Sequence, residues 1–159
     1  MFDERLTQLG IELPGPFPPH EPLDAVVVYG GTARTSGCLP RNQAGHLYAT
    51  GLLGREVTTA AGVECAALCA LNALSLLRAE LGTLDVIERV LTVIGFVACT
   101  GDFIEQPTVI DGASRVLHEV FGDAGRHTRS AVGVSALPRG GPVEIEVHVA
   151  LRSGTSGAT

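Results

Sequence analysis

The stretch GRHTRSAVGVSALPRGGPVEIEVHV, from Gly125 to Val149, constrains the fold of this chain more than any other. Val132, Val134 and Ala136, and then Val143, Ile145 and Val147, recur at every second position, so each run reads as a β-strand with one apolar face. A Pro/Gly loop joins them, and the two apolar faces coincide if residue 136 lies opposite residue 143, with Leu137–Pro142 as the loop. In that register Arg129, Ala131, Gly133, Ser135, Glu144, Glu146 and His148 share the other face. Arg129 then pairs with Ala150, and at about 3.3 Å per residue it lies roughly 20 Å from Glu144. A site that uses both side chains therefore needs a second subunit. The small residues Ala131, Gly133 and Ser135 leave room for its backbone.

At 159 residues the chain is one domain with enough length for a real core. Hydrophobic residues make up 45% and charged ones 18%, a ratio that points to burial against sister subunits. The longest apolar run, interrupted by Glu88 and Arg89, is shorter than the roughly 18 residues of a membrane span, so no membrane partner is expected. The acidic start MFDERLTQLG lacks the basic end of a signal peptide, which places the protein in the cytoplasm. A net charge of −6 without a basic stripe argues against a broad nucleic-acid surface.

Along the chain, residues 1–24 form an extension: a helical turn, then LPGPFPPHEP, whose prolines exclude regular structure and which wraps the surface with His20 solvated. The main domain, residues 25–151, begins with VVVYGGTARTSGCLP, read as strand, Gly-Gly turn and strand. A third short strand is expected over His46–Thr50. Around Ser36, Gly37 and Cys38 the backbone N–H groups could face an anion, or simply form a turn. Thr58 or Thr59 caps a helix that stops at Gly82, with Val63, Ala67, Ala70, Leu74, Leu77 and Leu81 as its buried stripe and Asn72 at the surface. Residues 86–100 are apolar on both alternating sets from Val90 onward, as in a central strand covered on both faces. Asp102 and Glu105 resemble a capping box for a second helix, which tolerates Pro107, buries Val109, Ala113, Val116 and Val120, and exposes His118 before Gly122 stops it. Residues 152–159 read as a flexible tail. Two helices on one face of a mixed sheet leave the other face bare, and oligomerisation covers it.

The four cysteines, Cys38, Cys65, Cys69 and Cys99, have no histidine at zinc-ligand spacing and read as buried free thiols, so no metal is expected. No phosphate loop, nucleophile elbow or metal triad is present. What remains is Arg129 at a strand end, whose guanidinium fork suits a carboxylate, and Glu144, which can hold a water or relay its proton. On its own, that pair is weak evidence of a site and reads first as an ordinary surface arrangement.

Four segments together, TSGCLP at 35–40, ALNALSLLRAELG at 70–82, TRSAVGVSALP at 128–138 and PVEIEV at 142–147, resemble the RidA/YjgF family of enamine/imine deaminases, historically also called endoribonuclease L-PSP. FGDAGRHTRSAVGVSALP is similar to the segment carried by a longer branch of that family. The resemblance implies an α+β, chorismate-mutase-like fold with a mixed sheet and two helices packed on one face, assembled as a homotrimer with clefts between subunits. It implies hydrolysis of 2-aminoacrylate or related imines to 2-keto acids and ammonia without a cofactor. Arg129 matches the arginine that grips the substrate carboxylate, Glu144 the glutamate that positions water, and Gly37 the loop whose amide contacts the ligand. Ser114 falls near a ligand-contacting asparagine, and Cys38 stands where the substrate loop usually has glutamine. Ala131 replaces a cysteine of the deaminases, and their N-terminal tyrosine has no clear counterpart. Those departures keep open a non-catalytic trimer that binds small carboxylates or regulates. Ribonuclease activity is the least favoured reading, since His127 is its one candidate residue and reads as a structural hydrogen bonder.

Overall fold

The computed structural model describes residues 1–154, so most of the tail assigned to 152–159 lies outside the described residues. The elements in chain order are α1 (Phe2–Leu9), β1 (Val26–Tyr29), β2 (Thr32–Thr35), α2 (Thr59–Leu81), β3 (Ile87–Ala98), α3 (Gln106–Phe121), β4 (Thr128–Val134) and β5 (Val143–Leu151). The strands form one mixed sheet in the order β1-β2-β5-β3-β4, with α2 and α3 packed on one face, which makes an α+β fold.

The closing stretch is not a hairpin. β3 lies between β4 and β5, pairing parallel with the first and antiparallel with the second. A crossover through α3 connects β3 to β4, as parallel neighbours require. The pairings put Arg129, Val93 and Val147 level, and likewise Val132, Phe96 and Glu144. Paired residues project to the same face, so Arg129, Ala131 and Gly133 face the helices while Val132 faces the open side, opposite to the hairpin reading. At Val132 the consequence is measurable: it is 41% exposed. Three residues along and two strands over, Arg129 and Glu144 are roughly 14 Å apart at their Cα atoms and point to opposite faces.

β5 keeps the expected alternation, with Val143, Ile145, Val147, Val149 and Leu151 all buried beneath the helices. Burial of each such side chain contributes about 1.5–3 kcal/mol. α2 is capped by Thr58, whose hydroxyl accepts the Ala61 N–H at 3.1 Å, and it ends at Gly82, whose N–H donates to the Arg78 carbonyl at 2.9 Å. Of the expected stripe, Ala70, Leu74 and Leu77 are buried while Val63, Ala67 and Leu81 are half-buried; the buried side is shifted and runs also through Cys65, Ala66, Cys69, Ala73 and Leu76, because both the sheet and α3 pack against the helix. Length and composition alone would let α2 cross a membrane, but 61% of its most apolar window is buried inside the protein. On α3, Val109, Ala113, Val116 and Val120 are buried and His118 is exposed, as the spacing predicts.

Two local expectations fail. His46–Thr50 is not a strand, since a turn closed by the Asn42 side chain on the Ala44 and His46 amides leaves only one bridge, between Arg41 and Leu47. The capping box is absent as well: α3 starts at Gln106 without a side-chain cap, and Asp102 instead accepts the Thr100 hydroxyl at 2.7 Å.

The N-terminal segment holds an eight-residue helix rather than a single turn. It docks by exchange of caps: Asp85 accepts the Phe2 and Asp3 amides at 2.5 and 3.2 Å, while Asp3 accepts the Leu84 amide at 3.1 Å and the Thr83 hydroxyl. Phe2 meets Phe121 edge-on with ring centroids 4.7 Å apart, which fastens the helix to the end of α3. His20, on the proline segment that follows, is exposed.

Candidate active site

The first half lies where the edge strand β4 meets α3. Arg129 projects under the helix because position 129 is level with the buried Val93. Its Nη1 donates to Asp111 Oδ1 at 2.8 Å and to Ser114 Oγ at 3.1 Å, and its Nη2 donates to the Pro107 carbonyl at 3.3 Å. Ser114 also lies 2.9 Å from His127 Nε2, and His127 Nδ1 is 2.6 Å from the Gly125 carbonyl. A carbonyl only accepts, so Nδ1 carries the hydrogen and, in the neutral ring, Nε2 accepts the Ser114 O–H. His127 therefore orients Ser114, which in turn helps orient Arg129. A shallow cleft of about 380 Å³ opens beside this chain of contacts, with Arg126 on its rim.

The second half gathers around Gly37. Cys38 N–H donates to the Ile145 carbonyl at 2.8 Å and the Ile145 N–H returns a bond to the Cys38 carbonyl at 3.0 Å, so the loop is laced onto β5. Ser36 N–H is spent on the Ala25 carbonyl, which leaves Gly37 N–H as the one amide of the three without a partner among the described residues. Glu144 packs directly against Gly37, and a Cβ there would run into its carboxylate. Burial, and then repulsion from Glu146, raises the Glu144 pKa above its ordinary value. Glu146 is itself paired with Arg34 at 2.7 Å on the same open face.

On the helix side of Gly37 lies a cavity of about 300 Å³, covered by Pro16, Phe17 and Pro18 of the N-terminal segment. Cys38 borders it but is 5% exposed, and burial pushes its thiol up to about 12. Burial likewise pushes Cys65 to about 11 and Cys69 well above the ordinary range, so these three are neutral thiols. Asn72 borders the same cavity, and its expected place at the surface is wrong. It is 6% exposed, with its amide donating to the Arg41 and Leu68 carbonyls at 2.9 and 2.8 Å. The expected stripe had it off the buried side, but the loop through Arg41 packs over that side of α2.

The structure thus brings Arg129 and Ser114 together, and separately Gly37, Cys38 and Glu144. It does not bring the two groups together within one chain. Sequence reasoning missed Asp111, although its spacing of three residues before Ser114 put both on one face of α3. Among the described residues, no three His, Cys, Asp or Glu side chains gather as a metal set would.

Comparison with known proteins agrees with this architecture. Residues 3–142 match the family model described as "YjgF/chorismate mutase-like, putative endoribonuclease". Protein TCP17 of Trypanosoma cruzi is 40% identical over 149 residues, covering 93% of this chain and 92% of that protein. The crystal structure of Atu1372 from Agrobacterium tumefaciens, a protein of unknown function, superposes with a TM-score of 0.87 at 39% identity, covering 95% of this chain and 94% of that one. A "putative endoribonuclease" of Shewanella oneidensis superposes with a TM-score of 0.90 at 30% identity, covering 95% and 99%. With a match over most of its length and the mixed sheet backed by two helices, the chain belongs to the RidA/YjgF, chorismate-mutase-like family.

Proposed function

We propose that the protein hydrolyses small reactive enamines and imines of the 2-aminoacrylate type to 2-keto acids and ammonia, in clefts that neighbouring subunits of a homotrimer build together. One observation carries this reading. Arg129 and Glu144 each head an incomplete half-site, on opposite faces of one sheet, so chemistry that needs both must draw them from two chains. Arg129 is already held in place by Ser114 and the Pro107 carbonyl, and its fork suits a substrate carboxylate. Glu144, with its pKa raised, is matched to proton transfer closer to neutral pH than an ordinary carboxylate is. The free Gly37 N–H adds a fixed donor to the same half-site.

In this reaction the enamine takes a proton at carbon to give the imine, and water held by Glu144 adds to the C=N carbon. A proton passes to nitrogen, the C–N bond breaks, and ammonia leaves as the C=O bond forms. The sum is hydrolysis without redox change, so the reaction draws on water alone. The test is keto-acid release from freshly generated 2-aminoacrylate by the purified protein, with Arg129→Ala as the control. Equal rates with and without protein would sink the proposal.

Ala131 favours a second reading. It stands on the helix face two residues beyond Arg129, where the resemblance leads one to expect a thiol, so the site has a carboxylate grip without that group. A trimer that binds small carboxylates without turnover fits this, and binding of a keto acid by protein that releases none from the imine would establish it.

A further inference from the structure

Arg129 is not waiting empty-handed. Its Nη1 is paired at 2.8 Å with Asp111, whose side chain is 66% exposed while that of Arg129 is 21% exposed. This is a carboxylate from the protein's own α3, sitting on the group that the functional reading assigns to a ligand carboxylate. The contact is one-pronged, through Asp111 Oδ1 alone, and Nη2 has only the longer 3.3 Å contact to Pro107. An exposed pair of this kind is weakly held.

We propose that Asp111 is a built-in competitor that occupies the Arg129 fork in the empty protein, is displaced by small monocarboxylate ligands, and so sets how tightly they bind. This rests on the reading that Arg129 binds a carboxylate. A ligand carboxylate can bridge Nη1 and Nη2 at once, a geometry Asp111 does not achieve, and two parallel charge-assisted bonds outcompete one. An amide or other neutral analogue has no charge to exchange for the ion pair. Asp111 thus raises the threshold for acids, the ligands that use the charge of the fork, and leaves the binding of neutral analogues unchanged. Ser114 and the Pro107 carbonyl keep the guanidinium in place during the exchange, since neither contact depends on Asp111. Asp111 acts through Arg129 and is a positioning residue in the sense that it sets the state of the fork before the ligand arrives.

The experiment is calorimetric titration of the full chain with pyruvate and with pyruvamide, for the wild type, Asp111→Asn, Arg129→Ala and the double variant. Asp111 is exposed, so the asparagine variant removes charge without opening the core. The expected result is pyruvate binding roughly 1.4- to fivefold tighter in Asp111→Asn, given the strength of exposed pairs and the tenfold scale of affinity. Pyruvamide shows no comparable gain, and Asp111→Asn has no effect in the Arg129→Ala background. Unchanged or weaker pyruvate binding in Asp111→Asn, with binding still lost in Arg129→Ala, overturns the role of Asp111 and leaves the Arg129 reading standing. No pyruvate binding by either the wild type or Asp111→Asn overturns both.

Discussion

The Glu144 carboxylate fills the space where Gly37 would otherwise carry a side chain. Gly37 has no positive φ, so its lack of a side chain serves this contact rather than the backbone conformation. The three atoms nearest an added methyl group are Oε1, Cδ and Cγ of Glu144, a flexible side chain that can swing aside. Gly37→Ala is therefore expected to cost roughly 1 kcal/mol or less, a fall of about 2–4 °C in melting temperature for a chain of this size. Displacement of the carboxylate by about 1 Å should reduce keto-acid release on the order of 100-fold. Thermal melts beside rate measurements check this, and a variant with an unchanged rate would show that the contact has no part in the chemistry.

The same carboxylate ties stability to pH. Burial is the larger cause of its raised pKa and the Glu146 charge the smaller, so the folded protein disfavours the ionised form. The folded pKa lies above the unfolded value of about 4.3, so Glu144 contributes its stability below that value. That contribution is lost as pH rises through the folded pKa. Glu144→Gln has no charge to bury, and it is expected to melt above the wild type at pH 7.5 with the advantage gone at pH 4. Its rate of keto-acid release should fall by about 10²- to 10⁴-fold, the usual contribution of a positioned base. Calorimetric melts over this pH range would contradict the account if the two proteins changed in parallel.

The parts of the fold that were legible in the sequence are those set by neighbours in the chain. Thr58 and Gly82 bound α2 through local hydrogen bonds, and the alternation of β5 reports one buried face. Arg129 and Glu144 stood out because each is a charged residue at or near a strand end in an apolar setting. What was not legible depends on a third element arriving between two others. Nothing between Leu137 and Pro142 announces that β3 separates β4 from β5, because a short loop suits a hairpin as well as a step over one strand. That insertion reversed the faces of Val132 and Arg129. Asn72 was misplaced for the same reason, since the loop through Arg41 that covers it is distant in sequence. Asp111 gained meaning only when α3 was laid over β4.

The open face of the sheet makes the proposed assembly testable through Val132. It lies level with Phe96 and then Glu144 across three adjacent strands, and Ile94 is on the same face beside them. Among the described residues no helix covers this side, and Val27 and Val132 are 54% and 41% exposed there. Apolar side chains on a flat sheet face are expected to be buried by sister chains, with gains on the order of 25 cal/mol for each Å² covered. A carboxylate at position 132 would be buried without a partner in that interface but solvated in a free chain. Val132→Glu is therefore expected to leave the far-ultraviolet dichroism intact while converting the proposed trimer to monomers in light scattering. If the proposed cleft draws Arg129 and Glu144 from two chains, keto-acid release should disappear with the trimer. A wild type that is monomeric at micromolar concentration, or a dissociated variant that keeps its activity, would mean that one chain suffices, and the shared cleft would have to be abandoned.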